Sequence, residues 1–146
     1  MLLIGDGPER HNAESLCREL NTFDDVRFLG KQNAIEELMA IGDAFILPSE
    51  KESFGLAALE AMACEVPVIA TQTGGLPEII DHGHCGFLSP VGDIQSLSEN
   101  MCRLLSDNKL LEEFKANALQ KAKTFDLQKV LPKYESFYEK IMKLNA

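Results

Sequence analysis

An α/β fold with a parallel sheet flanked by helices is what this sequence predicts, and three observations predict it. Five short apolar runs, "LLIG", "VRFLG", "AFILPS", "PVIAT" and "GFLSP", alternate with segments of helical pattern. The runs are apolar at consecutive positions, as expected of strands buried on both faces of a sheet made of βαβ units. No repeat, low-complexity tract or long linker breaks the series, and 146 residues suffice for one domain with a real core.

The elements follow in order. Leu2 to Gly5 reads as a strand ended by glycine, and Pro8 opens a helix with apolar positions at Leu16, Cys17 and Leu20. Val26 to Gly30 is a strand, Ala34 to Ile41 a helix, and Ala44 to Ser49 a strand stopped by Pro48. "GLAALEAMAC" is a helix, Pro67 to Thr71 a strand, Leu76 to Asp81 a short helix, and Gly86 to Pro90 a last strand. Three helical segments close the chain. Asp93 and Asp107 are placed to cap the first two. The third runs from Leu127 to Leu144, and Pro132 either kinks it or marks its start.

Composition bounds the function. A net charge of −9 and a pI near 4.8 speak against a nucleic-acid partner. A phosphate site in this chain must therefore use backbone amides and helix ends. No apolar run has membrane-spanning length, and "MLLIGDGPER" lacks the basic region and long apolar stretch of a signal peptide. It reads as a strand running into a turn, which suggests a domain taken from a longer, cytoplasmic protein. Cys17, Cys64, Cys85 and Cys102 form no CxxC pair and are expected as reduced, buried thiols.

Parallel sheets place ligands at the carboxyl ends of their strands, so the loops there are the places to look. "GDGPE" (Gly5 to Glu9) starts like a GxGxxG fingerprint but lacks the third glycine. A tight turn explains it as well as a ligand does. "PSEKESFGLAALE" carries more. A strand ends at Pro48 and a helix begins near Phe54 to Leu56, so the Phe54, Gly55 and Leu56 amides are expected as free donors for an anion. Gly55 would let a ligand approach the backbone. Glu52 stands at the mouth of the loop, and Glu60 follows eight residues later, one turn beyond Leu56 on the same face. Carboxylates accept paired hydrogen bonds from vicinal diols, so an anionic phosphate flanked by sugars fits the pattern. Taken singly, Glu60 is an exposed helix charge and Glu52 a helix-dipole carboxylate. The apolar neighbours Leu56, Ala58, Leu59, Ala61 and Met62 leave little solvent face for Glu60, which makes the pair more telling.

"TQTGGLPE" (Thr71 to Glu78) places two glycines after a strand, where a side chain would be in the way of something, or where the turn is merely tight. "HGHC" (His82 to Cys85) has no fourth ligand at zinc-like spacing and reads as a polar surface turn. No D-x-D and no Ser-His-Asp grouping is present, so neither a metal-diphosphate site nor a nucleophilic triad is expected.

The set of motifs is recognisable. "IGDGPE", the pair Glu52 and Glu60 with "FG" between them, "EAMAC" followed by "VPVIAT", then "GGLPE" and "SPVGD" together resemble the nucleotide-sugar domain of family 4 retaining glycosyltransferases of the GT-B fold. The likeness covers nearly the whole chain. It implies a Rossmann-like C-terminal half of that fold, lacking its first strand and helix, with residues 1–146 as a single donor-binding domain truncated at its N-terminal edge. By the resemblance, Glu52 would be the catalytic-site carboxylate that hydrogen-bonds the donor sugar. The amides of Phe54, Gly55 and Leu56 would hold sugar hydroxyl and phosphate, and Glu60 the ribose hydroxyls. Gly30 and Lys31 would meet the base through their backbone.

The resemblance also implies a UDP-sugar as substrate, retention of configuration, no cofactor, no essential metal, and a leaving diphosphate that assists the acceptor. The acceptor, a small molecule or glycolipid, would bind an N-terminal domain of the same protein that lies outside this chain. The wording "PSEKESFGL" is most similar to a bacterial branch that transfers N-acetylglucosamine to L-malate, so these are the expected sugar and acceptor. Alone, the chain is expected to be inactive, to bind donor weakly at most, and to self-associate through the apolar stripe of its last helix. Two residues depart from the family pattern: Glu65 where glycine is usual and Ala57 where proline is common. The family's Arg/Lys pair for the diphosphate has no counterpart here. A non-catalytic nucleotide-sugar sensor on the same half is the alternative. An unrelated receiver-like or dinucleotide-binding module is disfavoured by the incomplete glycine fingerprint and the lack of an acidic cluster at the first strand.

Overall fold

The computed structural model describes residues 1–144. It divides into two compact units, Met1–Ile35 and a larger one from Glu36 onwards.

The first unit is a βαβ element. Strand β1 (Leu2–Ile4) lies parallel to β2 (Arg27–Gly30), with Leu2 opposite Arg27 and Leu3 opposite Phe28. The register then slips so that Ile4 faces Gly30, and the Gly5 amide continues the ladder to the Gly30 carbonyl at 2.8 Å. Helix α1 (Arg10–Glu19) connects the strands and stops at Asn21, which has a left-handed φ of 55°. The Asn21 amide bonds the Arg18 carbonyl and the Thr22 amide the Cys17 carbonyl, so a Schellman motif closes the helix. A 3₁₀ turn at Phe23–Asp25, not expected from the sequence, leads into β2.

The second unit holds α2 (Ile35–Ala40), which begins at the boundary, then β3 (Phe45–Leu47), α3 (Leu56–Ala63), β4 (Val68–Thr71), α4 (Leu76–Ile79) and β5 (Gly86–Ser89). Helices α5 (Ile94–Ser106), α6 (Asn108–Ala122) and α7 (Leu127–Leu144) complete it, with a 3₁₀ turn at Lys123–Phe125. Its sheet has the order β3-β4-β5, all parallel, with Leu47 opposite Ala70 and Thr71 opposite Ser89. The α/β architecture with parallel strands is the one the alternation predicts. Every residue of central β4 is buried, which is why "VIAT" is uninterruptedly apolar up to its last hydroxyl.

One core cluster joins Ile69, Phe87, Leu104, Leu111 and Phe114, with Leu97 and Met101 of α5 packed against it. The Phe87 and Phe114 rings lie 5.1 Å apart. Asp93 caps α5 through the Ser96 amide at 2.9 Å, and Asp107 caps α6 through the Lys109 and Leu110 amides. Helix α7 starts at Leu127 behind Asp126, whose carboxylate accepts from the Gln128 amide at 2.8 Å. Pro132 therefore lies inside the helix and does not start it. No helix among the described residues is long and apolar enough to cross a membrane.

Two expectations need correction. Of the four thiols only Cys85 is buried; Cys17 and Cys64 are half-buried and Cys102 is exposed. Cys102 stands two positions before the buried Leu104, and two residues carry a side chain most of the way to the opposite helical face. Glu60 is also exposed. Helix α3 buries Ala58, Ala61 and Met62, and its apolar neighbour Leu56 faces outward as well, 63% exposed. An alanine-rich helix is apolar all round without being buried all round.

Candidate functional site

The carboxyl ends of β3, β4 and β5 form one edge of the larger unit, because the strands are parallel and in register. The segment Pro48–Gly55 leaves β3 there and enters α3. Gly55 is the N-cap of α3, with φ 97° and ψ 42°, and its carbonyl accepts the first helical bond, from Leu59 at 3.0 Å. The amides of Leu56, Ala57 and Ala58 are therefore the ones without an intrahelical acceptor. This moves the donor set two residues along from the expected Phe54, Gly55 and Leu56. The Gly55 amide is already engaged, by the Glu52 carboxylate at 3.2 Å. A half-buried acidic side chain thus caps the positive end of the helix.

Gly55 itself has a structural reason beyond its left-handed φ. A Cβ at this position would lie 2.7 Å from Leu76 Cδ2 and 3.3 Å from Ile79 Cδ1. Helix α4, not an approaching ligand, occupies the space on that side. Phe54 turns its ring edge-on to Phe125, 6.1 Å between centroids, which pins the loop to the turn before α7. Leu56 and Glu60 remain as an outward stripe, four residues apart on one face of α3. Glu52, the α3 amides and Glu60 consequently line one helix entry in the order the sequence spacing gave.

One contributor carries no assigned role in the sequence pattern. The loop after β4, Gln72–Gly75, packs directly on the backbone of Glu52–Phe54. A Cβ at Gly74 would fall 1.4 Å from the Glu52 carbonyl oxygen, and one at Gly75 would fall 2.8 Å from Phe54 Cα. The thing in the way after "TQT" is therefore the neighbouring loop. The glycine pair signalled a close approach, and only the sheet order β3-β4 identifies its partner.

Gly30 and Lys31 belong to the smaller unit. Gly30 ends β2 with φ 64° and Lys31 is exposed beyond it. The neighbouring loop contains Gly5 at φ 117°, and Asp6 accepts from the Gly7 amide at 3.1 Å. Arg10 is held by Glu14 at 3.0 Å and by Asp6 at 3.9 Å.

The "HGHC" turn is used structurally. His82 Nδ1 accepts from the Leu88 amide at 3.0 Å, Asn117 holds the His84 carbonyl at 3.0 Å, and Lys121 bridges to Asp81 at 2.8 Å. Cys85 Sγ accepts from the Asp81 amide at 3.2 Å, and burial pushes its thiol pKa up. No grouping of three or more metal-ligating side chains occurs among the described residues.

Comparison with known proteins gives this site its context. The family Glycosyl transferases group 1 matches residues 1–121. The chain is 42% identical over 144 residues to N-acetyl-alpha-D-glucosaminyl L-malate synthase of Bacillus anthracis, covering 98% of this chain and 38% of that protein. It is 36% identical over 138 residues to D-inositol 3-phosphate glycosyltransferase of Corynebacterium jeikeium, covering 92% of this chain and 33% of that one. The chain thus spans well under half the length of these curated relatives. Among solved structures, sucrose-phosphate synthase from Thermosynechococcus elongatus superposes with a TM-score of 0.85 at 28% identity, over 98% of this chain and 38% of that one. Anabaena HepE in complex with UDP superposes with a TM-score of 0.81 at 29% identity, over 97% of this chain and 40% of that one. The parallel α/β fold and the family match over most of the chain agree: this chain belongs to the group 1 glycosyl transferases, of the GT-B fold.

Proposed function

We propose that this chain is the donor-binding domain of a retaining glycosyltransferase that transfers a sugar from a UDP-sugar. The observation that carries the reading is the helix entry at Gly55. It offers amides without an intrahelical acceptor and a dipole to phosphate, with Glu52 before the entry and the exposed Glu60 one turn into the helix, each able to accept a pair of hydroxyls. The HepE structures with UDP and with UDP-glucose support a uridine diphosphate sugar as the ligand class. In this reading the diphosphate displaces the Glu52 carboxylate from the helix end, and the freed carboxylate takes the donor sugar's hydroxyls. Glu60 takes the ribose. The likeness to the malate synthase supports N-acetylglucosamine as the sugar and L-malate as the acceptor. The acceptor would bind a second domain of the parent protein, so the isolated chain does not transfer sugar.

The transfer needs neither cofactor nor metal in this reading, because the helix amides supply the anion site. In the isolated chain, α7 presents Leu127, Leu131, Tyr134 and Tyr138 at heptad-like spacing, all exposed. This face self-associates, and sedimentation that stays monomeric at high concentration would refute it. Heteronuclear NMR titration with UDP and UDP-N-acetylglucosamine tests the donor site. Shifts centred on Glu52–Glu60 are expected, and UDP-N-acetylglucosamine moves Glu52 further than UDP does. Shifts absent from that segment contradict the proposal.

A further inference from the structure

The "TQTGGLPE" segment supplies none of the carboxylates or amides assigned to the donor, yet it meets the donor loop at Thr71, Thr73, Gly74, Gly75 and Leu76. Thr71 ends β4 and is 1% exposed, and its hydroxyl donates to the carbonyl of Ser49. The Thr73 hydroxyl donates to the carbonyl of Glu50 at 3.3 Å. Gly74 and Gly75 leave no room for side chains because the Glu52–Phe54 backbone fills that space. Leu76, fully buried, closes on Gly55. Two hydroxyls and two missing side chains therefore meet the backbone at Ser49, Glu50 and Glu52–Phe54 of the loop that leads into α3.

We propose that Thr71 is a positioning residue for the nucleotide-sugar site: its buried hydroxyl, seconded by Thr73, sets where Glu52 and the α3 amides stand. The proposal rests on the donor-site reading above. The chemistry is specific to the hydroxyl. Valine has nearly the shape of threonine, so Thr71→Val keeps the packing of β4 and leaves the Ser49 carbonyl without its donor. Serine keeps the donor and gives up a methyl group. A residue needed only for core packing would show the opposite order, with valine mild and serine harmful.

The test is UDP affinity of the intact chain by NMR titration, for wild type, Thr71→Val, Thr71→Ser and Thr73→Val. Thr71→Val should weaken UDP about fivefold to tenfold and shift the Ser49–Leu56 amides, while Thr71→Ser stays within about twofold of wild type. Thr73 is half-buried at a loop, so Thr73→Val keeps the fold even if the buried substitution does not, and it should weaken UDP about twofold to threefold. Unchanged affinity in both valine variants, or a serine variant as weak as the valine one, overturns the role of the hydroxyl. A wild-type chain whose 52–60 amides ignore UDP overturns the donor reading itself, and this role with it.

Discussion

The Glu52 carboxylate accepts a hydrogen bond from the Gly55 amide at 3.2 Å, across the mouth of the loop that enters α3. This bond gives Glu52 a structural duty in the free chain, and under the proposed donor reading an anion at the helix end would release it. Glu52→Ala should lower stability by about 1 kcal/mol, read as a lower urea midpoint at constant slope. The same variant should bind UDP nearly as wild type does and lose the extra affinity for UDP-N-acetylglucosamine. Equal losses for both ligands would place Glu52 on the nucleotide side instead.

Gly74→Ala should be severe. The new methyl group would meet the Glu52 carbonyl oxygen at 1.4 Å, at a residue with φ 53°, so backbone has to move. A loss of about 3 kcal/mol is expected in chemical denaturation, with the 49–56 amide signals displaced. Gly83 has a similar φ of 78° but open space around it, so Gly83→Ala shows the cost of φ alone.

Glu65→Gly should stabilise the chain. Glu65 holds φ 63° at the end of α3, where its amide bonds the Met62 carbonyl and the Val66 amide bonds the Ala61 carbonyl. That is a Schellman motif with a side chain at the position glycine prefers, and relieving it is worth about 1 kcal/mol. A rise in the thermal midpoint checks it.

The thiols should separate by reactivity and by pH. Exposed Cys102 reacts with an aromatic disulfide reagent in the native state, and Cys85 only after unfolding. Burial raises the Cys85 pKa above its ordinary 9.0, so the folded chain keeps a proton that the unfolded chain loses. Its contribution to stability is intact below pH 9.0 and falls as pH rises toward the folded value. Cys85→Ala should flatten that alkaline fall, measured as urea midpoints on either side of pH 9.0.

How much of this was legible beforehand differs by element. Strands and caps were, because "VIAT" buries four consecutive residues and Asp93 and Asp107 sit one position before their helices. The burial of individual positions was less so. Alanines permit either environment, so nothing local showed that Glu60 faces solvent while Ala58 and Ala61 do not. The partner of Gly74 was not legible at all, since a glycine records that space is taken and not by what. That Gly55 is narrowed by Leu76 depends on the packing of α4 beside α3.

Glu60, exposed on α3, is the carboxylate proposed to hold the ribose. The measurement is the affinity of wild type and Glu60→Gln for UDP and for 2′-deoxy-UDP, with thermal midpoints alongside. Wild type should prefer UDP about tenfold, and Glu60→Gln should lose most of that preference with its midpoint unchanged. A wild-type chain that binds both nucleotides equally, or a variant that keeps the full preference, would contradict the assignment of this helix entry to a nucleotide sugar.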